Sequence, residues 1–329
     1  MSKKILSIFM VIIMVSALLP VSSFAENDIL SYLTYKIKNN EVYISDCDRS
    51  ISGDVVIPAE IDGLPVTELG SAFMYCDGIT SIVIPDSVKV IDECTFTDCT
   101  QLKTVKLSSG LTKVEQFLFT NCTSLESIEI PDNVTNIGLA AFNGCSNLKT
   151  IKVGKGVSDF DTTAYLSCPS LERFIVDAEN LYYSSDDNGA LFDKDKTTLF
   201  FYPSANTSAT YTVPESVVTI FDNAFTSCNY LKNIEISESV ERVYGRISGS
   251  SLEKITFYNK NCVIDFESQT IPESVVIYGY TDSVAEQYAE RFNRKFIALD
   301  NDIISVFIRF VKSYIDLIMT LIKNVLKMF

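Results

Sequence analysis

Cysteine recurs at every twenty-third position through the middle of this chain, and that spacing restricts the possible folds more than any other feature. The five cysteines in strict register are Cys76, Cys99, Cys122, Cys145 and Cys168. Each has an aromatic residue three positions earlier and an aliphatic residue three positions later, as in Phe119-x-x-Cys122-x-x-Leu125. A sixth copy follows at Cys228, and a weaker copy around Leu252 lacks the cysteine. A constant apolar pattern at such a period indicates a repeat protein.

One repeat unit, residues 119–142, indicates the fold that the array forms. Leu125-x-x-Ile128-x-Ile130 alternates as a short strand does, and Pro131 ends the strand because proline cannot donate to a sheet ladder. A single unit cannot bury its apolar side, whereas stacked units form a continuous core. We therefore predict an α/β solenoid: a right-handed coil with a parallel sheet along one side and strands about 4.8 Å apart.

The Leu-x-x-Ile-x-Ile-Pro motif with Ala-Phe-x-x-Cys resembles the BspA-like class of bacterial leucine-rich repeats over residues 30–299. The segments at 33–44 and 61–67 are similar to that family's usual hairpin and entry into the first repeat. The segments at 277–280 and 285–289 are similar to its last strand and short closing helix. The resemblance implies a secreted or surface-displayed binding scaffold, associated with adhesion or host contact, and it indicates a class rather than a ligand.

The pattern along the chain divides it into five segments. Residues 1–25 are predicted to be a signal peptide, because Lys3 and Lys4 precede an apolar run that ends at Pro20 before a small-x-small cleavage site. The remaining predicted segments are an N-terminal cap and entry at 26–66, the leucine-rich repeats at 67–280, a C-terminal cap helix at 281–299 and an amphipathic helical tail at 300–329. We therefore expect an extracellular or cell-surface protein.

The array is interrupted once. The interval from Cys168 to Cys228 is two periods long with fourteen further positions added. The turn signal at 186–189 and its apolar flanks predict a protruding hairpin at about 181–202, with the repeats on both sides sharing one core. The aspartates of this loop are possible calcium ligands, but their order differs from the EF-hand pattern, so a solvated hairpin tip is favoured.

The chain has nine cysteines, and three interpretations of the cysteine ladder compete. Each ladder cysteine lies between an aromatic residue and an aliphatic residue at core spacing, which favours buried thiols that act as small hydrophobes. Disulfides between neighbouring coils are an alternative. A metal chain is disfavoured because no close Cys-x-x-Cys pair exists. Cys47, Cys94 and Cys262 lie off the register of the ladder and receive no role from the sequence.

The outward positions of the predicted sheet form the candidate binding face. They are Ser81, Val83, Thr104, Lys106, Ser127, Glu129, Thr150, Lys152, Arg173, Ile175, Asn233, Glu235, Lys254 and Thr256. Solenoids commonly bind ligands along such faces, so a protein or glycan ligand is expected here. The row contains no aromatic anchor. Its mixture of residues is also typical of a sheet face that is exposed to solvent and binds no ligand.

The tail, residues 302–329, has a broad apolar face and a narrow polar stripe when projected on a helix. The apolar residues proposed to contact a membrane or a partner helix are Phe307, Phe310, Ile315, Ile318, Ile322 and Leu326. Arg309, Lys312 and Asp316 interrupt the apolar run, so the tail is not expected to span a bilayer. Contact with a membrane surface, self-association or another helix partner, and packing on the solenoid remain open.

Charge and missing motifs limit the function classes. The formal net charge of −15 disfavours nucleic-acid binding, and the absence of histidine removes every Ser-His or Cys-His nucleophile. There is no nucleophile elbow, zinc-protease motif or phosphate-binding loop, and we expect no cofactor. The sequence therefore predicts a non-catalytic secreted or cell-surface scaffold for protein or glycan binding. The alternative is a structural protein that assembles through its C-terminal helix.

Overall fold

The computed structural model describes residues 29–247, 249, 251–265 and 270–300. The predicted signal peptide at 1–25 and the predicted helix at 302–329, including Phe307, Phe310, Ile315, Ile318, Ile322 and Leu326, lie outside the described residues.

The strands of the N-terminal half are β1 (Leu33–Lys38), β2 (Glu41–Cys47), β3 (Ser52–Val56), β4 (Glu60–Ile61), β5 (Leu64–Leu69), β6 (Gly78–Val83), β7 (Val90–Ile91), β8 (Thr104–Lys106), β9 (Lys113–Val114), β10 (Ser127–Glu129), β11 (Asn136–Ile137), β12 (Thr150–Val153), β13 (Asp159–Phe160) and β14 (Arg173–Val176). Those of the C-terminal half are β15 (Tyr183–Ser185), β16 (Leu191–Asp193), β17 (Thr198–Phe201), β18 (Thr210–Thr212), β19 (Thr219–Ile220), β20 (Asn233–Ile236), β21 (Arg242–Val243), β22 (Lys254–Phe257), β23 (Val263–Ile264), β24 (Val276–Gly279) and β25 (Phe296–Ala298). The helix α1 (Val284–Arg291) lies between β24 and β25.

These elements form a parallel-strand solenoid of about 11 turns with a spacing of about 23 residues, as the periodicity predicts. Equivalent residues of successive coils pair directly, for example Ile128 with Ile151 and Ile151 with Phe174. Strand β10, the strands at the same position of the other coils and the closing strand β25 make up what we call the main sheet. It has three hydrogen-bonded groups: β3-β6-β8, β10-β12-β14 and β18-β20-β22-β24-β25. Shorter strands elsewhere in each coil make up the second sheet, including β9-β11-β13 and β17-β19-β21-β23.

The core between the two sheets is built from the repeated aromatic and cysteine positions. The rings of Phe73, Phe96, Phe119 and Phe142 stack with centroids 5.6, 5.4 and 5.8 Å apart. Each thiol from Cys99 onward in the regular array donates to a carbonyl oxygen of the preceding coil; the Sγ–O distance is 3.1 Å from Cys99 to Phe73 and from Cys122 to Phe96. A small side chain with a weak donor therefore fits where the backbones of two coils approach.

Residues 181–202, where a protruding hairpin is predicted, contain β15, β16 and β17, and this segment does not protrude as a whole. Strands β15, β16 and β17 are antiparallel neighbours, and β17 joins the second sheet through Leu199 paired with Ile220. Leu191, Phe192 and Leu199 are buried, and the turns carry the exposed residues. The usual repeat motif is absent from this coil, and the apolar strands of the hairpin provide its core side chains instead. Burial of these side chains holds the hairpin in the stack.

The interruption also divides the core, contrary to the single core expected from the sequence. The buried apolar residues form two clusters, one reaching from the N-terminal cap to Phe201 and the other from Ala190 to the C-terminal cap. The strands of the hairpin contribute to both, because alternate side chains of a strand point to opposite sides. Leu191 belongs to the first cluster and its neighbour Phe192 to the second.

A regular coil that the sequence pattern concealed follows the hairpin. The Sγ atom of Cys228 lies 3.7 Å from the carbonyl oxygen of Tyr202, so Tyr202 occupies the aromatic position of the preceding coil. Ala205 and Ser208 then fall where other coils have cysteine and leucine, and Tyr211 and Val213 fall at the two strand positions. The interval between Cys168 and Cys228 is therefore one enlarged coil and one regular coil without a cysteine.

Each end of the array has its own closing structure. At the start, β1 and β2 form an antiparallel hairpin, and β2 pairs in parallel with β5 of the first coil. At the end, Ser283 caps α1 by accepting a hydrogen bond from the backbone N–H of Glu286. The sequence predicts C-terminal helices, but the described part of the chain contains one there, the short helix α1. No helix among the described residues is long and apolar enough to cross a membrane.

Candidate binding surface on the main sheet

The outward side chains of the main sheet form two columns, because the two outward positions of every strand stay in register from coil to coil. In the first column Ser81 pairs with Thr104, and Ser127, Thr150 and Arg173 follow one another. In the second column Glu129 lies beside Lys152. Within each hydrogen-bonded group of the main sheet, the predicted binding-face residues therefore follow one another at the spacing of neighbouring strands, about 4.8 Å.

The structure places the predicted residues at different depths. The exposed ones are Thr104, Lys106, Ser127, Glu129, Lys152, Arg173 and Ile175, and the half-buried ones are Ser81, Val83, Thr150, Asn233, Glu235 and Lys254. Thr256 differs from the expectation, since its side chain is buried with 1% exposure. Thr256 lies between Glu235 and Tyr278 in the parallel register, and these longer side chains cover its short one.

Several polar groups on the surface are already bonded to the next coil. Lys152 Nζ lies 3.2 Å from Glu129 Oε2, and Thr212 Oγ1 donates to Glu235 Oε2 across 2.8 Å. At the first strand, hydrogen bonds from Ser81 and then Thr80 hold the pKa of the Asp54 carboxyl below its usual range. An exposed ion pair such as Lys152–Glu129 contributes only about 0–1 kcal/mol, so a ligand could exchange it for its own contacts at little cost.

Two groups of surface residues were missed by the sequence interpretation. Thr210 and Thr212 belong to the columns through the concealed coil, and Asn233 Nδ2 donates to Thr210 Oγ1 across 3.2 Å. The second group is aromatic and lies past Thr256, at Tyr258, Tyr278 and Tyr280. The pattern Ile277-Tyr278-Gly279-Tyr280, which the sequence already indicates as the last strand, was the signal that could have extended the row to this strand.

These tyrosines give the sheet an aromatic and cationic end. Tyr258 is 37% exposed; the half-buried Tyr278 lies on the neighbouring strand β24, and the half-buried Tyr280 directly follows that strand. Lys254 Nζ lies 4.3 Å from the ring centroid of Tyr278, and Lys260 Nζ lies 5.5 Å from that of Tyr280. Such partly exposed rings beside cations are typical of the anchors at binding surfaces. We refer to Lys254, Tyr258, Lys260, Tyr278 and Tyr280 as the tyrosine cluster.

Two of the open grooves on the described surface adjoin the main sheet and the C-terminal part of the second sheet. One, of about 410 Å³, lies beside the second column and includes Lys106, Glu129 and Pro131. The other, of about 520 Å³, lies on the second sheet and includes Arg242, Tyr244 and Asn259. Neither is enclosed, so each is suited to a surface contact with a large ligand rather than to the burial of a small molecule.

The aspartates of the interruption have structural partners. Asp186 Oδ1 accepts from the backbone N–H of Ala190 across 2.9 Å, and Asp193 Oδ1 accepts from those of Thr197 and Thr198. The carboxylates thus satisfy backbone donors in two turns. Within the described ranges, no group of three or more cysteine, aspartate or glutamate side chains is placed to hold a metal ion.

The parallel coils, their regular spacing and the outward columns define a leucine-rich-repeat solenoid. The chain belongs to the BspA-type leucine-rich repeat family, since the BspA type leucine rich repeat region matches residues 69–186 and 198–274 in six copies. Among curated proteins, none matches the chain.

Solved structures of bacterial leucine-rich repeat proteins share this fold. One from Eubacterium ventriosum has a TM-score of 0.56 at 22% identity, covering 77% of this chain and 71% of that one. One from Bacteroides ovatus has a TM-score of 0.55 at 20% identity, covering 75% and 70%. The pneumococcal vaccine antigen PcpA has a TM-score of 0.50 at 21% identity, covering 81% and 97%. The likeness to these proteins is one of fold.

Proposed function

We propose that this chain is a non-catalytic, secreted or cell-surface scaffold that binds a protein or glycan ligand through the outward face of the main sheet. The observation that carries the proposal is the tyrosine cluster at the C-terminal end of that face. Partly exposed aromatic side chains bury much area at a low entropic cost, and they dominate many binding interfaces. The columns of threonine, serine, lysine and glutamate that lead to the cluster supply hydrogen-bonding groups along the same face.

The chemistry of the chain supports a role without catalysis. It has no histidine, and eight of its nine cysteines are buried, so a histidine-activated nucleophile is lacking and only Cys94 offers a partly exposed thiol. The carboxyls of Asp48, Asp54 and Asp86 accept hydrogen bonds that lower their pKa values, which is the opposite of what a general acid needs near neutral pH. These features support binding as the activity of this scaffold.

The expected location outside the cell rests on two segments at the ends of the chain. The pattern of residues 1–25 supports secretion, and the family includes cell-surface proteins. The apolar face of residues 302–329 supports retention at a membrane surface through residues such as Phe307 and Leu326. Together these segments are proposed to deliver the scaffold and to keep it at the cell surface.

A binding screen of the mature chain tests the proposal. The immobilised protein is presented with a panel of extracellular matrix proteins and with a glycan array, and each positive ligand is titrated against variants. Tyr278→Ser is expected to weaken binding about tenfold or more, as loss of an aromatic anchor does. The matched control is Tyr230→Ser, since Tyr230 is 55% exposed but precedes β20 outside the columns. Equal losses in the two variants, or no ligand in either panel, would contradict the proposed face.

Self-assembly through the tail is the second candidate function, and the sequence pattern of residues 302–329, a narrow polar stripe in an otherwise apolar predicted helix, supports it. A chain ending at Asn301 is the suitable variant, because Asp300 accepts hydrogen bonds from the backbone and side chain of Thr281 and should be kept. Sedimentation of the full and shortened mature chains measures the effect. Assembly is expected to disappear with the tail if it is the oligomerising element, and an unchanged assembly state would reject that role.

A further inference from the structure

Cys47 lies in the N-terminal cap, 29 residues before Cys76, so the regular spacing of 23 does not reveal that it is a neighbour of the cysteine ladder. The chain on both sides of Cys47 pairs with the chain on both sides of Cys76. Before them, Ile44 pairs with Leu69 in the β2–β5 ladder. After them, Ser52 pairs with Gly78 in the β3–β6 ladder. The two cysteines therefore occupy facing segments of adjacent coils.

Their thiols meet each other in a way that differs from the rest of the ladder. The thiols of Cys99, Cys122, Cys145 and Cys168 donate to the carbonyl oxygens of the phenylalanines in the preceding coils. The N-terminal cap has no phenylalanine at the corresponding position. There the Cys47 thiol lies 3.6 Å from the carbonyl oxygen of Asp48, and Cys47 and Cys76 are close enough for each thiol to shift the pKa of the other. Both side chains are buried, with 1% exposure for Cys47 and 0% for Cys76.

The charge around the pair makes the two thiols unequal. The hydrogen bond from Cys47 and the charge of Arg49 lower the pKa of Cys76, while that hydrogen bond and burial raise the pKa of Cys47. Arg49 is held close by its own contacts, with Nη1 2.8 Å from Asp46 Oδ1 and 3.1 Å from the carbonyl oxygen of Cys47. Cys76 is accordingly the better nucleophile of the pair.

We propose that Cys47 and Cys76 form a disulfide in an oxidising compartment, joining the N-terminal hairpin covalently to the first coil. The oxidant is a disulfide of a small thiol or of an oxidoreductase. The Cys76 thiolate attacks one of its sulfurs and releases the other as a thiol. Cys47 then loses its proton and attacks the Cys76 sulfur of the mixed disulfide, which releases the second thiol.

This exchange balances: the two protein thiols lose two electrons and two protons, and the oxidant becomes two thiols. Because both sulfurs are buried in the folded chain, the exchange takes place before the hairpin closes on the array or while it opens locally. The bond would close a loop between residues 47 and 76, at the end where a repeat array lacks a neighbouring coil. A cross-link at this place limits fraying of the array from its first coil.

Refolding in a glutathione buffer tests the pairing directly. The mature chain is refolded with excess oxidised glutathione, denatured, alkylated without reduction and mapped by mass spectrometry. The expected result is a peptide that links Cys47 to Cys76, with the other seven cysteines alkylated. The link is expected to persist in Cys99→Ser and to be absent in Cys76→Ser. Alkylation of both Cys47 and Cys76, or a main link that joins either one to another cysteine, would overturn the proposal.

A stability measurement gives a second readout that does not depend on the folding of the Cys76 variant. The unmodified chain is expected to melt several degrees higher after oxidation than after reduction, because the cross-link restricts the unfolded chain. Cys47→Ala is expected to melt at one temperature under both conditions. An equal redox effect in the unmodified chain and in Cys47→Ala would show that the stabilising bond lies elsewhere and would reject this pair.

Discussion

The thiol of Cys122 donates to the carbonyl oxygen of Phe96, which belongs to the preceding coil, across 3.1 Å in a fully buried position. The contact explains why cysteine recurs where a larger apolar residue would not fit and alanine would leave a gap. The sulfur fills the space between two backbones and also supplies a donor to one of them. Cysteine is thus a structural residue of the coils that carry it.

Replacing Cys122 by alanine is expected to lower the free energy of unfolding by about 1–2 kcal/mol, from the lost sulfur contacts and the weak hydrogen bond. Urea denaturation followed by circular dichroism measures the change. Cys94→Ala is the matched control, since Cys94 is only half-buried and lies off the ladder. Equal destabilisation in the two variants would show that the ladder contact has no special role.

Placing a carboxylate at Leu125 is expected to unfold the array. Leu125 is fully buried between stacked coils, and Leu125→Asp would leave an uncompensated charge there, at a cost of about 4 kcal/mol or more. Ser127→Asp adds the same group two residues later on the outward face and is expected to change stability by less than about 0.5 kcal/mol. A cooperatively folded Leu125→Asp protein would reject the register of the core.

Removing the hydroxyl of Thr256 is expected to stabilise the protein. Its Oγ1 atom is buried and has no hydrogen-bond partner among the described residues, which is unfavourable for a polar group. Thr256→Val keeps the shape of the side chain and suits a strand, so the free energy of unfolding is expected to rise by about 1 kcal/mol. Thr212→Val, which loses the hydrogen bond to Glu235, is expected to give no such gain. Chemical denaturation of the two variants compares them.

Alkaline pH is expected to destabilise the array through its thiols. Burial raises the pKa of Cys168 and of Cys228 to about 12, from the usual value of 9.0. Below pH 9 each thiol is neutral in the folded and in the unfolded state, so its contribution to the free energy of unfolding is fully present. Between pH 9 and pH 12 the unfolded thiol ionises first, so stability falls by about 1.4 kcal/mol per pH unit for each thiol.

Urea midpoints measured from pH 7 to pH 11 test this dependence on a chain with reduced thiols. Cys168→Ala removes one titrating group, so its stability is expected to fall less steeply above pH 9 than that of the unmodified chain. Tyrosine and lysine titrate in the same range, but they are common to both proteins and cancel in the comparison. Parallel curves for the two proteins would show that the buried thiol does not ionise on unfolding.

The solenoid could be predicted from the sequence because most coils repeat the same residues at the same spacing. The coil at Tyr202 was hidden because Ala205 and Ser208 replace the most recognisable positions, while Tyr211 and Val213 keep only the strand pattern. Cys47 was hidden because it lies in the N-terminal cap, 29 residues before Cys76, and the pairing between the cap and the first coil shifts register beside Gly53.

The binding surface could be predicted only in part. Alternation along each strand identified the outward columns, because side chains of a strand point to opposite faces. Alternation could not show that Thr256 is covered, since that depends on Glu235 and Tyr278 on neighbouring strands. The tyrosine cluster was overlooked for the same reason, as it forms only when β22 and β24 lie side by side.

Because corresponding residues of successive coils pair one whole repeat apart, as Ile128 does with Ile151, a single unit is also the natural step by which the gene can grow or shrink. Recombination between similar repeats adds or removes a coil without disturbing the pairing on either side, since each coil contacts only its neighbours. The number of coils, and with it the length of the outward face, can therefore change between related proteins while the two closing structures stay the same.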